Sequence, residues 1–374
     1  MDFTKTLLEE IKKRREISRF EEELERLRNK KIVGIWGTGL AGATTYEAAE
    51  RLGVEIQFFL DNDEKKIGKK LNGKEIRSIQ EMPPQAFIII SANVRYQIHK
   101  QLEAVHAEYC YLDPNYLFLW QPGKEPDEIF QSNSNQINKV YSLLADDASR
   151  KVFYNVLLHR AVHDLNLIWE VYDERSYFGN PIVKQAKGCF VDCGAYQGDT
   201  LEEFLNQVGT QEYRYFALEA DRGNYDILKK RCEERQLTNV YPLNLGVWDK
   251  KETLYFCRGG DVTGDVSGKV VPSAGDDNVK MEVESLDHIF SKESIDFIKM
   301  DIEGAEMRAL EGARRSIEKS KPILAVSAYH LLEHLWQIPL FIREMSADYK
   351  IYFGHHMWNL ADTVCYGLIK EERK

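Results

Sequence analysis

The chain is 374 residues long, 43% apolar and 11% aromatic, with a formal net charge of −10. That length exceeds what one hydrophobic core usually serves, so two domains are expected. The negative balance argues against a general affinity for nucleic acid or anionic membrane, which needs a positive field. No apolar run approaches the length of a membrane span.

Residues 1–30 are charged and carry a helical apolar stripe of Leu7, Leu8, Ile11, Ile17, Phe20, Leu24 and Leu27. The stripe is expected to pack on its own domain. Pairing with a second copy, giving a homo-oligomer, is the alternative. The N-terminus lacks the apolar core of a signal peptide. Six cysteines, at 110, 189, 193, 232, 257 and 365, form neither a C-x-x-C pair nor a zinc spacing. Cys189 and Cys193 are expected to pack at the two ends of one strand, and the protein to be cytoplasmic.

A first α/β unit spans residues 31–122. Ile32-Val-Gly-Ile-Trp36 predicts a strand, Gly37-Thr-Gly-Leu-Ala-Gly42 a turn into a helix, and Glu55-Ile-Gln-Phe-Phe-Leu60 a second strand ending at Asp61. Strands over 88–90 and 109–112 and a helix over 96–105 follow. Asn72-Gly73 and Pro83-Pro84 mark loops. A G-x-G-x-x-G turn that follows a strand and opens a helix can hold a phosphate on backbone amides and the helix dipole. Gly37, Gly39, Gly42 and Asp61 are therefore candidate nucleotide-binding residues. The same glycines also serve tight strand-to-helix packing. Ile-Trp-Gly-Thr-Gly and Phe-Leu-Asp-Asn-Asp resemble the small Rossmann-like domain of bacterial sugar acyltransferases. That resemblance implies a nucleotide sugar or similar phosphate ligand. An NAD(P)-dependent sugar oxidoreductase centred here is a rival reading, disfavoured because the unit is short for a dehydrogenase domain.

Residues 123–180 read as a helical connector, polar at Gln131-Ser-Asn-Ser-Asn-Gln136 and helical over 140–144 and 152–172. It is expected to pack against a domain. Residues 181–374 form a second α/β unit. Strands are predicted at 190–193, 215–219, 240–244, 297–301 and 323–328. A β insertion over 254–283 carries a Gly-rich loop between Gly259 and Gly275, and a terminal pair lies at 349–353 and 364–369. Strands alternating with helices, then an antiparallel pair, predict a doubly wound sheet with an antiparallel edge.

Ligands of such sheets bind at the carboxyl ends of the strands. There the chain places Phe190-Val-Asp-Cys-Gly-Ala-Tyr-Gln-Gly-Asp-Thr200 and Ile298-Lys-Met-Asp-Ile-Glu-Gly-Ala-Glu306. Asp192 ahead of Gly194 and Gly198 would repel a pyrophosphate. It suits a positively charged ligand, an ammonium or a sulfonium. Glu219 ends the next strand, where a carboxylate holds ribose hydroxyls. Acidic loop and ribose acid point to S-adenosylmethionine rather than NAD, with a generic Rossmann-like site as the alternative on spacing alone.

With Ala217-Leu-Glu-Ala-Asp221 and Glu311-Gly-Ala313 added in order, residues 177–367 resemble the FkbM-type methyltransferase family. The resemblance implies a class I methyltransferase fold, S-adenosylmethionine as donor, and O-methylation of a sugar or secondary metabolite. It carries Asp192, Gly194, Ala195 and Gly198 to the methionine moiety, Glu219 to the ribose and Asn244 to the adenine edge. It puts Asp301 beside the sulfonium and the acceptor. The acceptor hydroxyl must lose a proton, so a base is expected. Asp301, Glu303, Glu306 and His330 are the candidates, and one of His355 and His356 is a further one. Glu306 alternatively complements the dipole of a helix it opens, Glu303 is alternatively a solvated acid, and His330 an ordinary polar contact. Three acids in one stretch can hold Mg²⁺, but the resemblance requires no metal and none is expected. The expected partner is a small-molecule or carbohydrate acceptor. A non-catalytic nucleotide-sensing scaffold is the non-enzyme alternative, disfavoured by the presence of both Asp192 and Glu219.

Overall fold

Short runs of β-branched and aromatic residues become the central strands of two mostly parallel sheets. The computed structural model describes residues 2–16, 25–91, 95–111, 126–162, 164–180, 188–208, 212–257, 269–271, 278–357 and 361–369. The first sheet contains β1 (Val33–Trp36), β2 (Phe58–Leu60), β3 (Lys70–Leu71), β4 (Lys74–Arg77), β5 (Phe87–Ile90) and β6 (Glu108–Tyr111). Their order is β3-β4-β2-β1-β5-β6, parallel throughout except for the β3–β4 hairpin. Every residue of β1, β2 and β5 is buried. Helices and loops cover both faces, so these strands read as continuous apolar runs without alternation. The β3–β4 hairpin was not expected. Asn72-Gly73, read only as a loop, is its turn, and both residues take positive φ.

The second half contains β7 (Gly188–Cys193), β8 (Tyr213–Leu218), β9 (Val240–Leu243), β10 (Gly246–Val247), β11 (Glu252–Cys257), β12 (Lys269–Val271), β13 (Asn278–Glu284), β14 (Phe297–Met300), β15 (Ile323–Ser327), β16 (Tyr349–His355) and β17 (Thr363–Ile369). Seven of them form one sheet in the order β16-β17-β15-β14-β7-β8-β9. Only β17 runs antiparallel to its neighbours. This is the doubly wound sheet with an antiparallel edge expected from the sequence. The order reverses between β7 and β14, so the crevice at their carboxyl ends is the switch point where ligands bind. The insertion is a second sheet, β10-β13-β11-β12, beginning at Gly246. Most of its Gly-rich loop lies outside the described residues.

The connector helices Pro126–Ser132, Ser134–Leu143, Asp147–Val162 and Leu165–Trp169 pack on the seven-stranded sheet. Phe130, Ile137, Val140, Phe153 and Leu157 share one core with Ile298, Met300, Leu324 and Val326. The amides of Ala145 and Asp173 donate to the carbonyls of Ile351 and His355, both at 2.9 Å, which blunts the β16 edge. The helix Phe3–Glu16 joins the same core through Phe3, Leu7 and Ile11. Phe3 stacks on Tyr141 with ring centroids 3.9 Å apart. Burying such a side chain contributes about 1.5–3 kcal/mol, so this part of the stripe is spent inside the chain rather than on a second copy. Leu27 lies in the core of the first sheet instead, while Ile17, Phe20 and Leu24 fall outside the described residues. Among the described residues no helix is long and apolar enough to cross a membrane.

Candidate active site

The β7 loop is shaped by backbone approach. Gly194 has φ +79°, and a Cβ there would overlap the carbonyl oxygen of Asp301. Only glycine lets the β7 and β14 loops come this close. The amides of Gly194 and Ala195 both donate to the Leu218 carbonyl at 3.0 Å. Ala195 is buried and supports the loop from behind. Gly198, at φ +93°, turns the chain into the helix Asp199–Val208.

Two cavities meet in the crevice and share Gly194, Tyr196, Asp301 and Glu303. The first holds ≈ 860 Å³ of empty space between largely apolar walls: Leu218, Leu245, Val247, Trp248, Leu254 and Met281, with Glu219 and Asn224 among them. The second holds ≈ 940 Å³ and is polar, lined by Ser176, Tyr177, Asp199, Thr200, Glu203, Lys299 and Asp362. Glu219 accepts hydrogen bonds from the amides of Tyr196 and Asp221, each at 2.8 Å. Burial pushes its carboxyl up to about 7, against the pull of those two amides.

Asp192 does not reach either cavity. It is 1% exposed. Phe190 and Val191 belong to the cores on opposite faces of β7, and strand alternation puts Asp192 on the Phe190 side. The register sets Asp192 opposite Lys299. Lys299 Nζ lies 3.0 Å from Asp192 Oδ1 and donates to the Gly194 carbonyl at 2.7 Å. The Tyr215 hydroxyl donates to Asp192 Oδ2 at 2.7 Å. Burial opposes the lysine's charge, but Asp192 and Asp301 outweigh it and hold the pKa above the ordinary lysine value. The expected anionic grip on a sulfonium is thus corrected: Asp192 is neutralised inside the protein and positions Lys299 and the Gly194 carbonyl. Asn244 is corrected likewise. Its Nδ2 donates to the carbonyls of Glu219 (2.9 Å) and Ala220 (3.2 Å), tying β9 to β8. Leu245 to Trp248 line the cavity in its place.

On the acceptor side Asp301 stands at the junction. It accepts from the hydroxyls of Tyr177 (3.4 Å) and Tyr329 (3.2 Å). Glu303, with φ +55°, lines both cavities. Glu306 lines neither and is fully buried. It opens the helix Glu306–Glu311, but its Oε1 turns back to accept from the amides of Ile302 (3.0 Å) and Gly304 (3.4 Å). Burial works against its charge, yet His330 and then His334 hold it down at about 2. His330 is held at about 10: burial pulls it down, and Glu306, Asp301 and Glu303 outweigh that. Glu306, paired with His330 at 2.8 Å and His334 at 3.3 Å, is buried away from both cavities and does not face an acceptor. His355 and His356 face the interior, bonded to the Thr363 hydroxyl and to the Asp173 carbonyl and Tyr366 hydroxyl, all at 2.8 Å.

Lys299, Tyr196, Trp248, Tyr177, Tyr329 and Asp362 were not singled out from the sequence. Lys299 sits inside a motif already noted and was legible there. Asp362, pushed up to about 7 by burial and by Asp301, precedes β17 with no local signal. In the first unit Gly42 packs so close to the Gly37 carbonyl that a Cβ would overlap it. The Asp61 carboxylate accepts from the Thr38 hydroxyl of the glycine turn and from the Asp63 amide at 2.9 Å, so it is tied to that turn as well as to its own loop.

Residues 192–356 match the methyltransferase FkbM domain. The fold is similar to that of a methyltransferase FkbM from Methylobacillus flagellatus KT, at 22% identity and TM-score 0.67, covering 93% of each chain. An rRNA methylase from Streptococcus thermophilus is a weaker likeness, at 11% identity and TM-score 0.32 over 56% of this chain and 96% of that one. Aeropyrum pernix fibrillarin in complex with S-adenosyl-L-methionine has 10% identity and TM-score 0.32, over 52% of this chain and 71% of that one. No curated protein matches the chain.

Proposed function

We propose that this chain, an S-adenosylmethionine-dependent methyltransferase of the FkbM type, methylates a hydroxyl oxygen of a sugar, glycan precursor or related polyhydroxylated molecule. The supporting observation is that an apolar and a polar cavity meet at Asp301. A buried carboxylate aimed into an apolar slot suits an adenosine: Glu219 would take the ribose hydroxyls, and Leu245 to Trp248 would flank the base. The polar cavity carries five carboxylates, Asp199, Glu203, Asp301, Glu303 and Asp362. Carboxylates accept from hydroxyls, which suits an acceptor rich in them.

When bound, the donor supplies an electrophilic methyl carbon, to which the acceptor oxygen bonds as the carbon–sulfur bond breaks and its electron pair leaves with sulfur. Asp301, braced by Tyr177 and Tyr329, takes the hydroxyl proton. Orientation supplies much of the rate, and a positioned base adds about 10²–10⁴-fold. The glycine turn of the N-terminal unit is proposed to hold a nucleotide sugar or similar phosphate ligand. Support comes from its strand–turn–helix setting. Five cysteines, Cys110, Cys189, Cys193, Cys232 and Cys365, are buried and free, which supports a reducing, cytoplasmic setting.

The test is turnover of S-adenosylmethionine with a panel of sugars, nucleotide sugars and amines, products read by mass spectrometry. Asp301→Asn is expected to lower kcat about 10²-fold or more with little change in donor affinity. Methylation confined to amines would overturn the hydroxyl assignment.

A further inference from the structure

Tyr196 stands where the two cavities meet and is the aromatic residue they share. It is 40% exposed and, among the described residues, joins none of the hydrophobic cores. Its backbone lies in the left-handed region, at φ +46°. Gly194 and Gly198, on either side of it, take φ +79° and +93°. At those two positions the left-handed turn is made by glycine. At the third it is made by a residue with a bulky ring, for which that region is a genuine outlier.

Hydrogen bonds hold the strained residue in place. Its amide donates to Glu219 Oε2 at 2.8 Å, and the other oxygen of Glu219 accepts from the Asp221 amide at 2.8 Å. The Gly198 amide closes the loop onto the Ala195 carbonyl at 2.9 Å. Strain of this kind persists only where the surrounding structure over-determines it, and it gathers at ligand sites. Glycine at 196 would relieve the strain and keep the same amide. The tyrosine therefore costs stability that its exposed ring does not restore through burial. The use of the ring lies in the cleft, beside Asp301.

We propose that the face of the Tyr196 ring is the platform on which the acceptor is laid, and that the acceptor is a sugar in its ring form. A pyranose presents C–H bonds on its flat faces and hydroxyls around its edge. An aromatic face carries the negative part of the ring quadrupole and suits polarised C–H bonds. The carboxylates of Asp199, Glu203, Asp301 and Asp362 in the polar cavity accept from hydroxyls at the edge. Stacking fixes the tilt of the sugar, and so which hydroxyl Asp301 reaches. An acyclic polyol offers the same hydroxyls without the face. The assignment rests on the polar cavity being the acceptor site, and it narrows the acceptor from polyhydroxylated molecules to cyclic ones.

The test gives the full-length protein S-adenosylmethionine and the methyl pyranosides of glucose, galactose, mannose and rhamnose, with sorbitol and mannitol as acyclic probes. Mass spectrometry reads methylation, calorimetry the donor affinity, and thermal melting the stability. The wild type should favour a pyranoside over either polyol. Tyr196→Ala should raise KM for that pyranoside about tenfold, with the larger part of the loss in KM rather than kcat. Tyr196→Phe keeps the aromatic face and should behave like wild type. Tyr196→Gly should share the KM defect yet melt at or above the wild-type temperature, because it relieves the left-handed strain. A ring that only props the fold would lower the melting temperature instead, and that result overturns the proposal. So does an unchanged KM in Tyr196→Ala, or a donor affinity that falls as far as the acceptor's; either leaves the polar cavity standing as the acceptor site. Equal use of sorbitol and the pyranosides overturns the ring-form assignment. Methylation of none of the probes by the wild type sinks the sugar reading of the polar cavity, and this inference with it.

Discussion

Replacing Lys299 by methionine tests the reassigned role of Asp192. Lys299 is 3% exposed and Asp192 1%, with their charged atoms 3.0 Å apart. In Lys299→Met the carboxylate keeps the Tyr215 hydroxyl but loses its counter-charge. Leaving one partner of a buried pair alone costs about 3–5 kcal/mol. Asp192 can escape that cost by taking up a proton. From an unfolded pKa of about 3.9, protonation at about pH 7 costs about 4.2 kcal/mol, and at about pH 5 about 1.5 kcal/mol. The cheaper route sets the loss, so the variant should lie about 3–4 kcal/mol below wild type at the higher pH. The sign follows from linkage: a folded-state pKa raised above the unfolded one gives a penalty that is absent at low pH and grows as pH rises. The variant should therefore regain about 2 kcal/mol relative to wild type between about pH 7 and pH 5. Asp192→Asn added to Lys299→Met removes the charge and should recover most of the loss. Urea unfolding followed by tryptophan fluorescence at both pH values measures this. Equal losses at the two pH values, or a double variant no more stable than the single one, would refute the buried pair and return Asp192 to the cavity rim.

Two further outcomes concern donor binding. Glu219→Gln removes a charged hydrogen-bond acceptor worth about 1.5–3 kcal/mol, so S-adenosylmethionine should bind about 10–150-fold more weakly by calorimetry. The ionised carboxylate is the form that accepts from ribose, and its pKa is about 7. Wild-type affinity should accordingly fall as pH drops through that value, and the variant's should stay flat; matching profiles would contradict the ribose role. Gly194→Ala forces a side chain onto positive φ and against the Asp301 carbonyl, which should lower the melting temperature and weaken donor binding together. A variant that binds the donor like wild type would show that the close approach of the two loops is not needed.

The buried parallel strands were legible because they are largely apolar runs, and β1, β2, β7, β8 and β14 lead directly into an acid or a glycine. The β3–β4 hairpin was not, because a two-residue strand with exposed Lys70 carries no pattern. The site divided along the same line. Gly194, Glu219 and Asp301 could be placed because each stands just beyond the end of a central strand. Asp192 was misread because its neighbours in the chain, Val191 and Cys193, say nothing of Lys299, which meets it only through the β7–β14 register. Glu306 looked catalytic for the same reason, with His330 and His334 arriving beside it from beyond the next strand.

What the sequence determined by itself was the order of strands, turns and helices and the residues at the strand ends, since apolar period and glycine placement act over a few neighbouring positions. Which acids face the cleft and which are neutralised behind it was decided only by tertiary structure. Charge pairing and desolvation act through space, and their partners here come from strands and loops distant along the chain.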